Sequence, residues 1–200
     1  MFGLAALAAL MAMAFVGASS AMAESTALCN VDPGTGATEV CPAGHLITSV
    51  HETSVGKAKL LTSFLTIECD VLFSGTARSS LASPLIIDGS FTYTNCGNCT
   101  VTEESGPAEI KILKLGHETA DVTGEGLVHS VCGTSLDCSY NGLNLLGTAK
   151  GPLLSAQTPD NGEVSLQEQS TSKEAGGFLC PKTAKLDIVT TPLSATYITG

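Results

Sequence analysis

The residues with the strongest claim to chemistry are Cys96 and Cys99, set in "FTYTNCGNCTVTE" (residues 91–103). A C-x-x-C pair can exchange disulfides, supply half of a zinc site, or staple a hairpin. Exchange chemistry needs the first thiol at a helix N-terminus, where the dipole lowers its pKa. Here both flanks alternate threonine with apolar residues in the manner of strands, and Glu103 and Glu104 disfavour a nearby thiolate. A structural zinc site needs four ligands. The second pair would be Cys132 and Cys138, with His117 or His129 as substitutes, and their spacing is wider than that of a zinc knuckle. The expectation is therefore a structural disulfide between Cys96 and Cys99. A two-residue loop is a tight fit, so a bond from either cysteine to a distant partner stays open.

Other constellations say less. Glu118, Asp121 and Glu125 in "GHETADVTGEG" offer hard oxygen ligands suited to calcium, but they equally form the solvated face of an acidic chain, which is the reading adopted. His117-Glu118 and His51-Glu52 each begin an H-E-x-x-H motif, yet Asp121 and Val55 stand where the second histidine belongs. "STSK" (170–173) has the S-x-x-K spacing without companion motifs, and there is no G-x-S-x-G nucleophile elbow. His45, His51, His117 and His129 fall in no catalytic frame, and the sequon at Asn98 is incidental. No catalytic residue, metal ligand or cofactor is assigned. The reading leans away from an enzyme without deciding the point.

Nineteen acidic residues against nine basic ones give a net charge of −10, which repels nucleic acid. Tryptophan is absent and aromatics are only 4% of the chain, so the stacking surfaces of a sugar site are missing. Residues 1–23 read as a secretory signal: Gly3 to Val16 carries no charge, and Ala21-Met22-Ala23 predicts cleavage before Glu24. No Lys or Arg precedes the apolar run, which is unusual for such a signal, and an uncleaved anchor is the alternative. The expected product is a single domain over residues 24–200, loop-rich over 24–45, without a membrane span. It is secreted or held in the cell envelope, outside the cytoplasmic membrane.

All eight cysteines lie after the expected cut, which suits disulfides in an oxidising compartment. Short loops suggest Cys29–Cys41, Cys132–Cys138 and Cys96–Cys99, leaving Cys69–Cys180 as a long-range tie.

The elements that must position these residues are strands. After residue 23 no helical period persists; short runs rich in Thr, Val, Ile and Tyr alternate with Gly, Pro, Asn and Ser. In "EIKILK", Ile110 and Ile112 alternate with Lys111, as in a sheet with one wet face. Asn161-Gly162 is the strongest turn signal, and "EESGPAE" (103–109) is read as another break. About ten strands in one domain predict an all-β antiparallel sandwich or barrel.

"LLTSFLTIECDVLFSG", "FTYTNC", "GPAEIKILKLGHETADVTGEGLVH" and "GFLCPKTAKLDI" together resemble small exported proteins of actinobacteria that carry no assigned activity. The resemblance implies an exported domain and no reaction, ligand or site residue. Two functions follow as expectations. The first is a non-catalytic domain of envelope structure or protein contact. The second is a binder of a small apolar or amphipathic molecule inside a barrel, with "LLTSFL" and "LNLLG" lining the cavity. An unrecognised enzyme ranks third. A binder should have an unfilled apolar interior, and a structural domain a packed one.

Overall fold

The computed structural model describes residues 25–34, 40–116, 119–151 and 162–199. The expected signal, its cleavage site, His117, Glu118 and Asn161 lie outside the described residues. The chain is all-β, and barrel rather than sandwich. The described residues form twelve strands: β1 (Ala27–Cys29), β2 (Leu46–Ile47), β3 (Ser49–Ser54), β4 (Ala58–Leu61), β5 (Thr66–Ala77), β6 (Leu85–Thr94), β7 (Cys99–Gly116), β8 (Thr119–Cys132), β9 (Leu136–Lys150), β10 (Glu163–Gly176), β11 (Thr183–Pro192) and β12 (Tyr197–Thr199).

Strands β5 to β11 form an antiparallel meander in which each pairs with the next. The eighth stave is shared. Strand β3 joins β5 to β11 along one half of the wall, and β4 does so along the other. The sheet thus closes on itself. An eight-stranded barrel has an interior that side chains can just fill, or that holds one small ligand.

Alternation decides which side chains go inside. On β5, Ile67, Cys69, Val71, Phe73 and Ala77 are buried, while Glu68, Leu72 and Thr76 are exposed. Ile110 and Ile112 on β7 are buried and Lys111 between them lies on the wet face, bonded to Glu109 and Glu125, as the sequence pattern predicts. Arg78 donates to both carboxylate oxygens of Asp88 and to Glu109, tying β6 to β7 on the outside. The arrangement is inside out relative to a membrane barrel, whose outer rows are apolar.

The two ends of the barrel differ. One is capped by a small sheet of β12, β1 and β2, whose Leu28 and Ile198 pack with Val50, Phe73, Ala77, Leu85 and Ile87. Cys29–Cys41 closes the loop leading out of β1, as expected from the sequence. The other end, here called the mouth, carries three further disulfides: Cys69–Cys96, Cys99–Cys132 and Cys138–Cys180. Four disulfides suit an oxidising environment outside the cytoplasm.

These three bonds overturn the expected Cys96–Cys99, Cys132–Cys138 and Cys69–Cys180. The reason is register. Cys99 on β7 is paired directly with Cys132 on β8, with Cα atoms 4.1 Å apart. Cys96 lies just beyond β6, and its Cα is 4.2 Å from that of Cys69 on neighbouring β5. The hairpin tip is therefore held from both sides, Cys96 toward β5 and Cys99 toward β8.

The expected break at "EESGPAE" is also corrected: β7 runs through it as a bulge. Five steps on β7, from Glu104 to Glu109, oppose two on β8, from Leu127 to Glu125. Gly106 takes a positive φ of 82°, and Pro107 has no N–H to offer a ladder. Bulges of this kind sharpen the bend of a wall that must close.

Candidate ligand cavity

Phe73 is buried in the barrel interior. Its ring fits only because Gly75 and Gly89 face it; a Cβ at Gly89 would lie 2.4 Å from the ring. Phe91 packs on Phe73 at a centroid distance of 4.8 Å. On the cap side a small cavity of about 30 Å³ remains, and on the mouth side a larger one of about 70 Å³. A single water needs only about 10–15 Å³, so the larger space exceeds a single water several times over.

All eight staves contribute to the larger cavity. Leu60 comes from β4, Ile67 from β5, Tyr93 from β6, Val101 from β7, Val128 from β8, Leu145 from β9, Leu166 from β10 and Ile188 from β11. The space exists partly because β8 and β9 carry Gly124, Gly126 and Gly142 on this wall, where other strands carry side chains. Of the segments expected to line a cavity, Leu60 and Leu145 do so, whereas Phe64, Leu143 and Leu146 point outward and are exposed.

Polar groups in the lining are few. Glu103 is held by the wall itself. Pairing between β6 and β7 runs from Leu85–Ile112 to Gly89–Ala108 and stops there, where the β7 bulge begins. The carboxylate of Glu103 fills this gap, accepting the backbone N–H of Phe91 at 2.8 Å and that of Ala108 at 3.1 Å. Partial burial pushes its pKa up, and the two amide bonds oppose that rise. Burial, with the Glu103 charge beside it, raises the pKa of Tyr93. Thr171 is satisfied by the Ala184 carbonyl.

Tyr140 is different. Its side chain is 2% exposed, and its hydroxyl is the buried side-chain polar atom that lacks a hydrogen-bond partner among the described residues. Burial raises its pKa, so it keeps its proton. Register places it in one lateral row with Glu103: Glu103 pairs with Val128, and Val128 with Tyr140.

The sequence reading missed Glu103 and Tyr140 as members of one site. It used Glu103 only as a charge near Cys99, and "LDCSYNG" shows no more than a tyrosine in a strand. The other candidates are dispersed. All eight cysteines are bonded, and Cys96 and Cys99 have different partners, Cys69 and Cys132. Among the described residues no group of three or more His, Cys, Asp or Glu is placed to hold a metal ion. Asp121 lies on the outer wall, and Glu125 bonds Lys111 there. His51 contacts Ser74, His45 contacts Asn30 and His129 contacts Asp137, at three separate places. Ser170 and Lys173, an odd number of steps apart on β10, face opposite sides of the wall.

Comparison of the chain with protein-family models, with curated proteins and with solved structures finds no match to any of them.

Proposed function

We propose that the chain binds a small apolar or amphipathic molecule inside the mouth-side cavity and does no chemistry on it. The observation that carries this reading is the cavity itself: an unfilled, apolar space inside a closed barrel whose outer wall is polar. A purely structural domain gains stability by filling such a space, because close packing recovers dispersion contacts. The disulfides fit the same role. They tie β5 to the turn after β6, β7 to β8, and β9 to the loop before β11, bracing the mouth around the cavity. Export to the cell envelope or the medium supplies the oxidant these bonds need.

The test is a fluorescent apolar probe, N-phenyl-1-naphthylamine, titrated into the oxidised chain. Saturable binding at one probe per chain is expected. A protein that leaves the probe's emission unchanged would remove the reading.

A second reading, protein contact within the envelope, draws on the rim. Phe64 is 59% exposed and Phe178 is 94% exposed, both in loops at the mouth, with half-exposed Leu179 beside the latter. Exposed aromatic and aliphatic residues of this kind anchor protein interfaces. Cross-linked partners that vanish when Phe64 and Phe178 are both changed to serine would favour this reading over the first.

A further inference from the structure

Both ends of the barrel are stoppered. At the cap, Leu28 and Ile198 of the small sheet close the interior. At the mouth, Cys69, Cys138 and Cys180 are buried in the core cluster against which Leu65 and Leu136 pack. The wall offers another way in. Ser165 pairs with Thr148 and Ser172 with Asn141, seven steps along each strand, so β9 and β10 part and rejoin without a change of register. Building on the ligand-binding reading above, we propose that this seam is the door by which an apolar molecule enters and leaves the cavity, and that Gln169 is its latch.

Each strand also carries a bulge on its far side. Three steps on β9, from Gly142 to Leu145, oppose two on β8, and three on β10, from Leu166 to Gln169, oppose two on β11. Asn144 and Glu168, one in each bulge, take positive φ values of 53° and 50°. A side chain in that region costs free energy, and such backbone gathers at sites that bind or switch. On the inner face Leu145, Leu166 and Thr171 line the cavity, while Leu143 and Leu146 stand exposed outside. An apolar chain therefore meets leucine on both sides of the seam. One side-chain hydrogen bond crosses it among the described residues, from Leu146 N–H to Gln169 Oε1 at 2.8 Å, and Gln169 is steadied by donating to the Gln167 carbonyl. The lapse between β6 and β7 is held more firmly. Glu103 accepts two amides there, and disulfides anchor that hairpin tip to β5 and β8. Parting β9 from β10 thus breaks fewer bonds than parting β6 from β7.

The test is stopped-flow exchange of N-phenyl-1-naphthylamine with the oxidised protein, in the wild type and two variants. Gln169→Met keeps the length of the side chain and removes the acceptor. It should raise the association and dissociation rates together by about fivefold, the worth of one hydrogen bond, and leave the affinity nearly unchanged. The second variant, Leu65→Ala with Leu136→Ala, trims the stopper at the mouth and should leave both rates near those of the wild type. Unchanged rates in Gln169→Met would overturn the inference. So would faster dissociation alone with weaker affinity, which means that Gln169 only steadies the cavity. Faster exchange in the mouth variant would place the entrance at the mouth and overturn it too, whether or not Gln169→Met folds. Each of these results leaves a cavity that binds the probe. Absence of saturable binding to the wild type would remove the ligand-binding reading and the door with it.

Discussion

Glu103 and Phe91 are joined across the stretch of wall where β6 and β7 cease to pair: a side-chain carboxylate accepts the backbone N–H of Phe91 at 2.8 Å and so replaces a missing ladder bond. The same device recurs at β9 and β10, where pairing lapses between Ser165 and Ser172 and the side chain of Gln169 accepts the N–H of Leu146 at 2.8 Å. Side chains thus stitch the wall where ladder pairing lapses.

Removing the stitch should open the seam. Glu103→Ala leaves two amides without acceptors, at an expected cost of about 1–3 kcal/mol. Hydrogen exchange should accelerate at Phe91 and Ala108 and stay unchanged at the paired Leu85 and Ile112. Uniform acceleration along β6 would mean that the seam is not a separate unit.

Glu52 predicts a pH dependence. It lies on β3, 8% exposed, with Thr190 donating to its carboxylate, and burial raises its pKa. Lys150 and Glu163 line the same small cavity. A carboxyl whose folded pKa exceeds its unfolded value binds more protons in the folded state. Stability from this group is therefore full at low pH and declines as pH rises from the unfolded pKa through the folded one. Glu52→Gln should melt higher than the wild type at pH 7, and the difference should shrink near pH 4. A difference that grows on acidification would contradict the assignment.

The disulfide pattern is open to direct mapping. Peptides released without reduction should join Cys69 to Cys96, Cys99 to Cys132 and Cys138 to Cys180. Replacing Cys99 and Cys132 together by alanine should cost about 2–4 kcal/mol and loosen the mouth-side cavity before the capped end. Recovery of a Cys96–Cys99 peptide from freshly oxidised protein would show that the register at the hairpin tip is different.

Filling the cavity should separate stability from binding. A Cβ at Gly124 meets nothing closer than Leu166 Cδ1 at 3.7 Å, and its φ is not in the left-handed region, so Gly124→Ala is accommodated. Replacing glycine by alanine also lowers the entropy of the unfolded chain. The gain should be on the order of 1 kcal/mol, or about 2–4 °C in Tm for a chain of this length. Binding of N-phenyl-1-naphthylamine should fall sharply. A variant that loses stability and keeps its probe affinity would place the ligand elsewhere.

Alternation of apolar and polar residues was readable along β5 and β7, because a strand with one wet face repeats every two residues whatever lies across from it. The all-β class and a shared disulfide chemistry followed from such local signals, as did Cys29–Cys41, a bond within one turn-rich loop. The other three bonds did not follow. They depend on which strands are neighbours and in what register, and chain separation misleads there: Cys96 and Cys99 are close in sequence but belong to opposite walls of the hairpin. The "EESGPAE" segment carried the residues of a turn, and only pairing with β8 made it a bulge. The cavity was the least legible feature. Glu103, Val128 and Tyr140 come from three strands, and nothing in their local sequences records that closure of the barrel sets them in one row around an unfilled space.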